Sequence, residues 1–207
     1  PARFSAEQIL AVSKIINRAC IDLTKGQDLD IRFESLPEVN TEMYLDMVYK
    51  KTGALVEAAI VAGATLGTSD PTIIKNYYNF ARNIGIAFQV QDDILGIWGD
   101  SAQTGKSADN DLYRRKKTLP IIYMLDKTTG ARRERLQAIY AQPDPPLEAD
   151  LTLVRDSLAE SEARAYTQTV AQMYRARAFE ALHRVGLQNQ AQSELEAVAN
   201  FLIDRSY

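Results

Sequence analysis

The sequence predicts an all-α protein, a bundle of long helices packed around one core. Three observations carry that prediction. Apolar residues recur at three- and four-residue spacing through runs longer than an ordinary strand. Residues that start and stop helices bracket those runs. No stretch alternates apolar and polar residues as a half-buried strand does, and no short repeat appears.

Ser5 and Gln8 have the spacing of a capping box, which opens a first helix. Its apolar stripe is Ile9, Leu10, Val12, Ile15, Ile16 and Ile21, expected to face the core, and Gly26 is expected to end it. The stretch DLDIRFESLPEVN breaks the pattern, with Pro37 and Asn40 as turn residues. A second helix is expected from about Thr41 to Leu66. Its second half, GALVEAAIVAGATLG, is rich in small residues, so a neighbour or ligand can approach closely. Asp70 before Pro71 gives an N-cap and a proline at the first helical position. The helix they open runs into GIAFQVQDDILGIWGD. A polar loop spans Trp98 to Thr118 and carries Gly99, Gly105 and the basic run RRKK. Pro120 opens a short apolar helix, and AQPDPPLEAD is a break with three prolines. Shorter helices come next, then a long one across about 160–185 that stops at Gly186, and a last one across about 191–204.

Composition sets bounds on function. The chain has 207 residues, enough for one domain with a sizeable core, and residues 1–207 are expected to form a single unit. A net charge of −3 gives no whole-chain field that favours nucleic acid. The one cysteine, Cys20, excludes an intrachain disulfide framework and fits a reducing, cytoplasmic setting. The one histidine, His183, excludes a multi-histidine metal site within one chain. A metal here must use oxygen ligands, which points to Mg²⁺ rather than Zn²⁺. No apolar run reaches transmembrane length, and no signal-peptide pattern opens the chain.

Two adjacent acids, Asp92 and Asp93, stand inside a helix-patterned apolar run. A buried carboxylate is costly unless a cation or hydrogen-bond donors meet it. Gln89 and Asp92 are three apart and share a helix face, with Asp93 about 100° further round. Asp92 is therefore expected to point into a cavity beside Gln89, and Asp93 to sit at its rim. By spacing alone the pair is either solvated near a helix end or set against a divalent cation. The surrounding Ile86, Ala87, Phe88, Val90, Ile94 and Leu95 argue against free solvation. Lys106 and Lys116, in the loop after this helix, are either solvated charges or phosphate ligands. The same choice applies to Lys51, although a lysine ahead of a small, apolar half-helix needs a reason.

Taken together, GQDLD at 26–30, KKTGALVEAA at 50–59, FQVQDDILG at 88–96, GKSADND at 105–111 and KKTLP at 116–120 occur in one order. That order resembles the trans-isoprenyl diphosphate synthases, or polyprenyl synthetases, over about residues 5–200. The resemblance implies an isoprenoid-synthase-type helical bundle around a central cavity. That cavity holds an allylic diphosphate and isopentenyl diphosphate, with Mg²⁺ on the former. It also implies a homodimer. The second aspartate-rich motif falls on Asp92, Asp93 and Gly96. Asp92 is expected to bind metal directly, and Asp93 to act through metal-bound water or as an outer acceptor. Lys51 and Thr52 match the lysine and hydroxyl pair that serves the leaving diphosphate. Gln89 matches the glutamine that faces the substrate. Lys106 and Lys116 match two further diphosphate-binding lysines.

There are three departures from the family pattern. Gly96 stands where a third acid is usual, which is expected to weaken one metal site. Asp109 stands where glycine is usual. No first aspartate-rich motif occurs, nor the basic residues that bind isopentenyl diphosphate. The chain is therefore expected to correspond to the C-terminal two-thirds of a family member, lacking its N-terminal helices. Residues 1–207 alone are expected not to turn over.

The implied reaction is a Mg²⁺-assisted head-to-tail condensation. The allylic carbon–oxygen bond breaks and diphosphate leaves. The isopentenyl double bond attacks the allylic cation, and a proton is lost, commonly to the released diphosphate. Small residues Gly53, Ala54, Ala58, Ala62 and Gly63 either line that path or serve close helix packing. Two other functions compete, a non-catalytic partner subunit and a class I terpene cyclase. The cyclase metal triad is poorly matched by NDLYRRKK, which lacks its hydroxyl and its acid.

Overall fold

A computed structural model describes residues 4–99, 110–142 and 144–204. Among them the chain is helical and forms no strand. Helix α1 (Ala6–Ser35) opens on the expected capping box. The Ser5 hydroxyl accepts from the Gln8 amide at 3.1 Å, and Gln8 Oε1 accepts from the Ser5 amide at 3.0 Å. The helix does not stop at Gly26. A Cβ on Gly26 would stand 2.3 Å from the Lys51 backbone nitrogen, so this glycine marks a close helix crossing rather than a helix end. The end comes before Pro37. There Lys117 Nζ donates to the carbonyls of Phe33 at 2.8 Å, of Glu34 at 3.4 Å and of Leu36. A lysine at a helix C-terminus satisfies carbonyls that have no partner within the helix.

The apolar stripe of α1 is also corrected. Ile9, Leu10, Ile16 and Ile21 are exposed, and the buried positions are Ala19, Asp22, Gly26 and Phe33. Gly26 is buried where the backbone at Lys50 and Lys51 crosses it closely.

The expected second helix is present within its bounds but not as one regular helix. Helix α2 (Thr41–Val48) passes through a π-helical turn (Tyr49–Gly53) into α3 (Ala54–Gly67). Such a turn holds an extra residue and rotates the helix beyond it, and it is common at functional sites. Helix α4 (Pro71–Trp98) begins as predicted, with Asp70 Oδ1 accepting from the Thr72 amide at 2.8 Å. A Cβ on Gly85 would lie 2.8 Å from the Gly53 Cα, so α4 and the π turn also cross at a pair of glycines.

Next in the chain are a short α5 (Asn110–Tyr113), α6 (Leu119–Lys127), α7 (Gly130–Ala141) and α8 (Glu148–Glu160). The long helix expected across about 160–185 is α9 (Ala163–His183), separated from α8 at Glu162, whose φ is +56°. Gly186, with φ +72°, ends its region as expected, and α10 (Gln190–Ile203) closes the bundle.

Helix α4 is the hub, packed by α9 along its length and by α3, the π turn and α10. One cluster joins its Phe80, Ile84 and Ala87 to Ala178, Leu182 and Ala199. A second cluster joins its Ile86, Val90 and Ile94 to Phe33, Tyr44, Val48, Leu119 and Ile122. No described helix is long and apolar enough to cross a membrane.

Candidate active site

The C-terminal half of α4, the π turn, the end of α1 and the segment entering α6 converge on a cavity of about 190 Å³. Asp30, Tyr44, Lys51, Thr52, Gln89, Asp92, Asp93 and Lys116 line it, with Met47 and Val48 as apolar wall. Six of the seven site residues expected from the sequence thus meet in one place. The seventh, Lys106, lies outside the described residues, as does Asp109.

The relation between the two acids differs from the expectation. Asp93, expected at the rim, is the buried one at 1% exposure, whereas Asp92 is half-buried at the cavity. The reason is that neighbouring elements pack on the Asp93 side of α4. Tyr44 on α2 donates its hydroxyl to Asp93 Oδ2 at 2.6 Å, and the Leu119 amide donates to the same oxygen at 3.2 Å. Gln89 Nε2 reaches Asp93 Oδ1 at 3.2 Å and Asp92 Oδ2 at 3.3 Å. Lys116 Nζ stands 4.0 Å from Asp93 Oδ1.

Burial pushes the Asp93 carboxyl up from 3.8. Lys116, the Tyr44 hydroxyl, the Leu119 amide and Gln89 all favour the carboxylate, and the balance rests at about 6. Burial also lifts the Tyr44 hydroxyl well above its ordinary value, reinforced by the charge of Asp93, so it remains a donor. For Lys116, burial disfavours the charge, but Asp93, Asp111, Asp30 and Asp92 outweigh it and raise the ammonium's pKa.

The π turn brings Lys51 and Thr52 to the same cavity. Lys51 forms an ion pair with Asp30 of α1. Thr52 Oγ1 donates to Gln89 Oε1 at 2.9 Å. That bond fixes the Gln89 amide with its oxygen toward Thr52 and its nitrogen toward the two acids.

Asp30, Tyr44 and the Leu119 amide are the partners that sequence reasoning missed. Asp30 was legible in part, because it lies four residues after Gly26 and shares its helix face once α1 is read through the glycine. Gly96 is also re-read. A Cβ there would stand 2.2 Å from Asp111 Oδ2, so a side chain at 96 meets α5 rather than an open metal site.

Among the described residues no group of three or more His, Cys, Asp or Glu gathers to hold a metal ion by itself. What the site offers is three carboxylates, Asp30 paired with Lys51, Asp92 half-buried and Asp93 anchored, with Lys51, Lys116 and Lys117 around a small cavity. Such a set suits a ligand that brings its own negative oxygens.

Comparison with known proteins places the chain in a family. The Polyprenyl synthetase family matches residues 3–155. The geranylfarnesyl diphosphate synthase of Aeropyrum pernix is 38% identical over 200 residues, which are 97% of this chain and 60% of that protein. The short chain isoprenyl diphosphate synthase of Methanothermobacter thermautotrophicus is 32% identical, over 98% of this chain and 61% of its own length. The chain therefore spans about 60% of the length of these relatives. The crystal structure of geranylgeranyl pyrophosphate synthetase from Pyrococcus horikoshii superimposes with a TM-score of 0.87 at 28% identity, over 98% of this chain and 61% of that one. A geranylgeranyl pyrophosphate synthase from Corynebacterium glutamicum, complexed with isoprenyl diphosphate and magnesium, gives 0.84 at 25% identity, over 98% and 57%. Sequence and fold agree, and the chain belongs to the polyprenyl synthetase family.

Proposed function

We propose that this chain furnishes the diphosphate-binding and ionising part of a prenyltransferase site. The reaction joins isopentenyl diphosphate head-to-tail to an allylic diphosphate of the geranyl, farnesyl or geranylgeranyl type. One observation carries the proposal, the convergence of Lys51, Thr52, Gln89, Asp92, Asp93 and Lys116 on one cavity. Lys51 and Lys116 supply positive charge where diphosphate would lie, and Lys106 is proposed as a third. Charge that develops on the leaving group is best stabilised by donors already in place. Lys51 is kept at the cavity by Asp30, and Lys116 by Asp93. Thr52 and Gln89 are tied to each other and present fixed dipoles toward the substrate. Met47 and Val48 narrow the space open to water, which would otherwise capture an allylic cation.

Mg²⁺ fits this donor set. It commonly uses one or two carboxylates and completes its shell with water and substrate phosphate oxygens. Asp92 would hold it, and Asp93, already accepting three protein hydrogen bonds, would act as an outer acceptor. When bound, the ion would neutralise part of the diphosphate charge. That the Corynebacterium glutamicum structure is complexed with magnesium supports Mg²⁺ as the ion. The apolar residues exposed on α1, among them Ile9, Leu10 and Ile16, support a covered face and hence a homodimer. Exposed, unpaired Cys20 supports a reducing, cytoplasmic setting.

The test is titration of the 207-residue chain with inorganic pyrophosphate, with and without Mg²⁺, by calorimetry. Binding is expected to need Mg²⁺, to weaken sharply in Lys51→Met and Lys116→Met, and to lose its Mg²⁺ dependence in Asp92→Ala. Binding indifferent to all three substitutions would place the anion elsewhere and overturn the assignment.

A further inference from the structure

The Gly96 position joins two observations that the function above leaves unused. Its surface on α4 is covered by the carboxyl of Asp111, whose Oδ2 and Cγ would lie 2.2 and 2.9 Å from a Cβ at 96. Asp111 begins the segment that leads to Lys116. The Lys116 amide donates to the Asp111 carbonyl at 3.0 Å, and the Arg115 amide to the Leu112 carbonyl at 3.0 Å. Arg115 takes φ +51°, which turns the chain back on itself there. Leu112, 1% exposed, packs in the same cluster as Ile97 of α4. The segment is thus seated on α4 twice, through Leu112 beside Ile97 and through Asp111 over Gly96. From that seat the Lys116 ammonium reaches 4.0 Å from Asp93. Among the acids that favour the charge of Lys116, Asp111 ranks second, after Asp93.

We propose that Asp111 is a positioning residue for Lys116, and that residue 96 is glycine because its bare Cα is the seat of the Asp111 carboxyl. Glycine at 96 then reflects a carboxylate carried on α5 instead of α4. A side chain added at 96 would occupy the place of Asp111, swing the segment outward and take Lys116 away from Asp93. Gly96→Asp therefore harms the site, whereas simple restoration of a third acid would improve it.

The experiment has two readouts, and only the first rests on the diphosphate assignment. The probe is inorganic pyrophosphate with Mg²⁺. Removing a negative charge near an anion site should by electrostatics alone tighten binding. A positioning role predicts the opposite sign, with Asp111→Asn and Gly96→Ala each weakening pyrophosphate about fivefold or more, as coupled neighbours do. In a Lys116→Met background, Asp111→Asn should then produce no further weakening, which a general loss of folding would not mimic. The second readout is amide hydrogen exchange of the chain without ligand. Gly96→Ala should speed exchange across residues 112–119 and leave α9 unchanged. Tighter or unchanged pyrophosphate binding in Asp111→Asn overturns the proposal, as does unchanged exchange in Gly96→Ala. If the unsubstituted chain binds no pyrophosphate, the diphosphate assignment fails while the exchange result still decides the role of Asp111.

Discussion

Helix α4 has two halves built on opposite principles. Between Phe80 and Ala87 it meets α9 and α10 through Phe80, Ile84 and Ala87, buried side chains with no polar atom. From Gln89 to Asp93 the same helix, at comparable burial, carries an acid met by Tyr44, Leu119, Gln89 and Lys116. The first half gains its stability from apolar area removed from water. In the second half, hydrogen bonds only offset the cost of removing a carboxylate from water. What the second half gains is a fixed arrangement of charge. A helix can hold both because its far half anchors it.

That contrast predicts separable effects, and the largest lies in the apolar half. Phe80→Ala removes a ring at 0% exposure and should lower the unfolding free energy by about 3–5 kcal/mol. Urea denaturation measures it. The pyrophosphate dissociation constant of the variant that remains folded should stay within about twofold of the parent, since sites without shared partners behave additively. A large loss of affinity would mean that the two halves are mechanically coupled.

The next effect is the pH dependence of the polar half. Unfolded, Asp93 titrates near 3.8; folded, at about 6. Between those values the folded chain binds the proton more tightly. The stability that Asp93 contributes is therefore fully present below about 3.8 and is lost as pH rises through about 6. The difference corresponds to about 3 kcal/mol. Asp93→Asn lacks this titration, so its stability relative to the parent should rise by about that amount from pH 4 to pH 7 in EDTA. Parallel stability profiles for the two proteins would show that Asp93 titrates normally, and that its donors compensate burial more fully than the geometry suggests.

The sequence exposed these halves unequally. The apolar half was legible because it obeys local rules: Asp70 and Pro71 start the helix, and the apolar spacing continues it. Lys51, Thr52, Gln89, Asp92, Asp93 and Lys116 were legible through the order of their motifs. Their geometry was not. Gly26 has the local signature of a helix stop, and only the backbone of Lys51, 25 positions away, shows that it is a crossing. The π turn leaves no periodic signature, because one extra residue does not disturb the apolar pattern of KKTGALVEAA. Which of two adjacent acids is buried depended on Tyr44 and Leu119, donors 49 and 26 positions distant, and nothing local to Asp92 and Asp93 encodes them.

The smallest predicted effect tests the link between the π turn and α4. Thr52 Oγ1 and Gln89 Oε1, 2.9 Å apart, form a direct side-chain hydrogen bond between the two elements. Thr52→Val keeps the shape and removes the donor. The Gln89 carbonyl then loses its partner at a site still partly open to solvent, so the stability cost should be about 1 kcal/mol or less. The functional consequence should be the larger one. Without Thr52 the Gln89 amide is free to turn, and Nε2 is no longer held toward Asp92 and Asp93. Pyrophosphate binding should then weaken about threefold to tenfold, the span set by one hydrogen bond of about 0.7–1.4 kcal/mol. Thr52→Ser keeps the hydroxyl and should restore most of the affinity, although serine gives up the β-branch that favours one rotamer. Calorimetry on the pair separates the two contributions. Affinity kept in valine but lost in serine would mean that the methyl group of Thr52 matters more than its hydroxyl. Gln89 would then owe its orientation to the two acids alone.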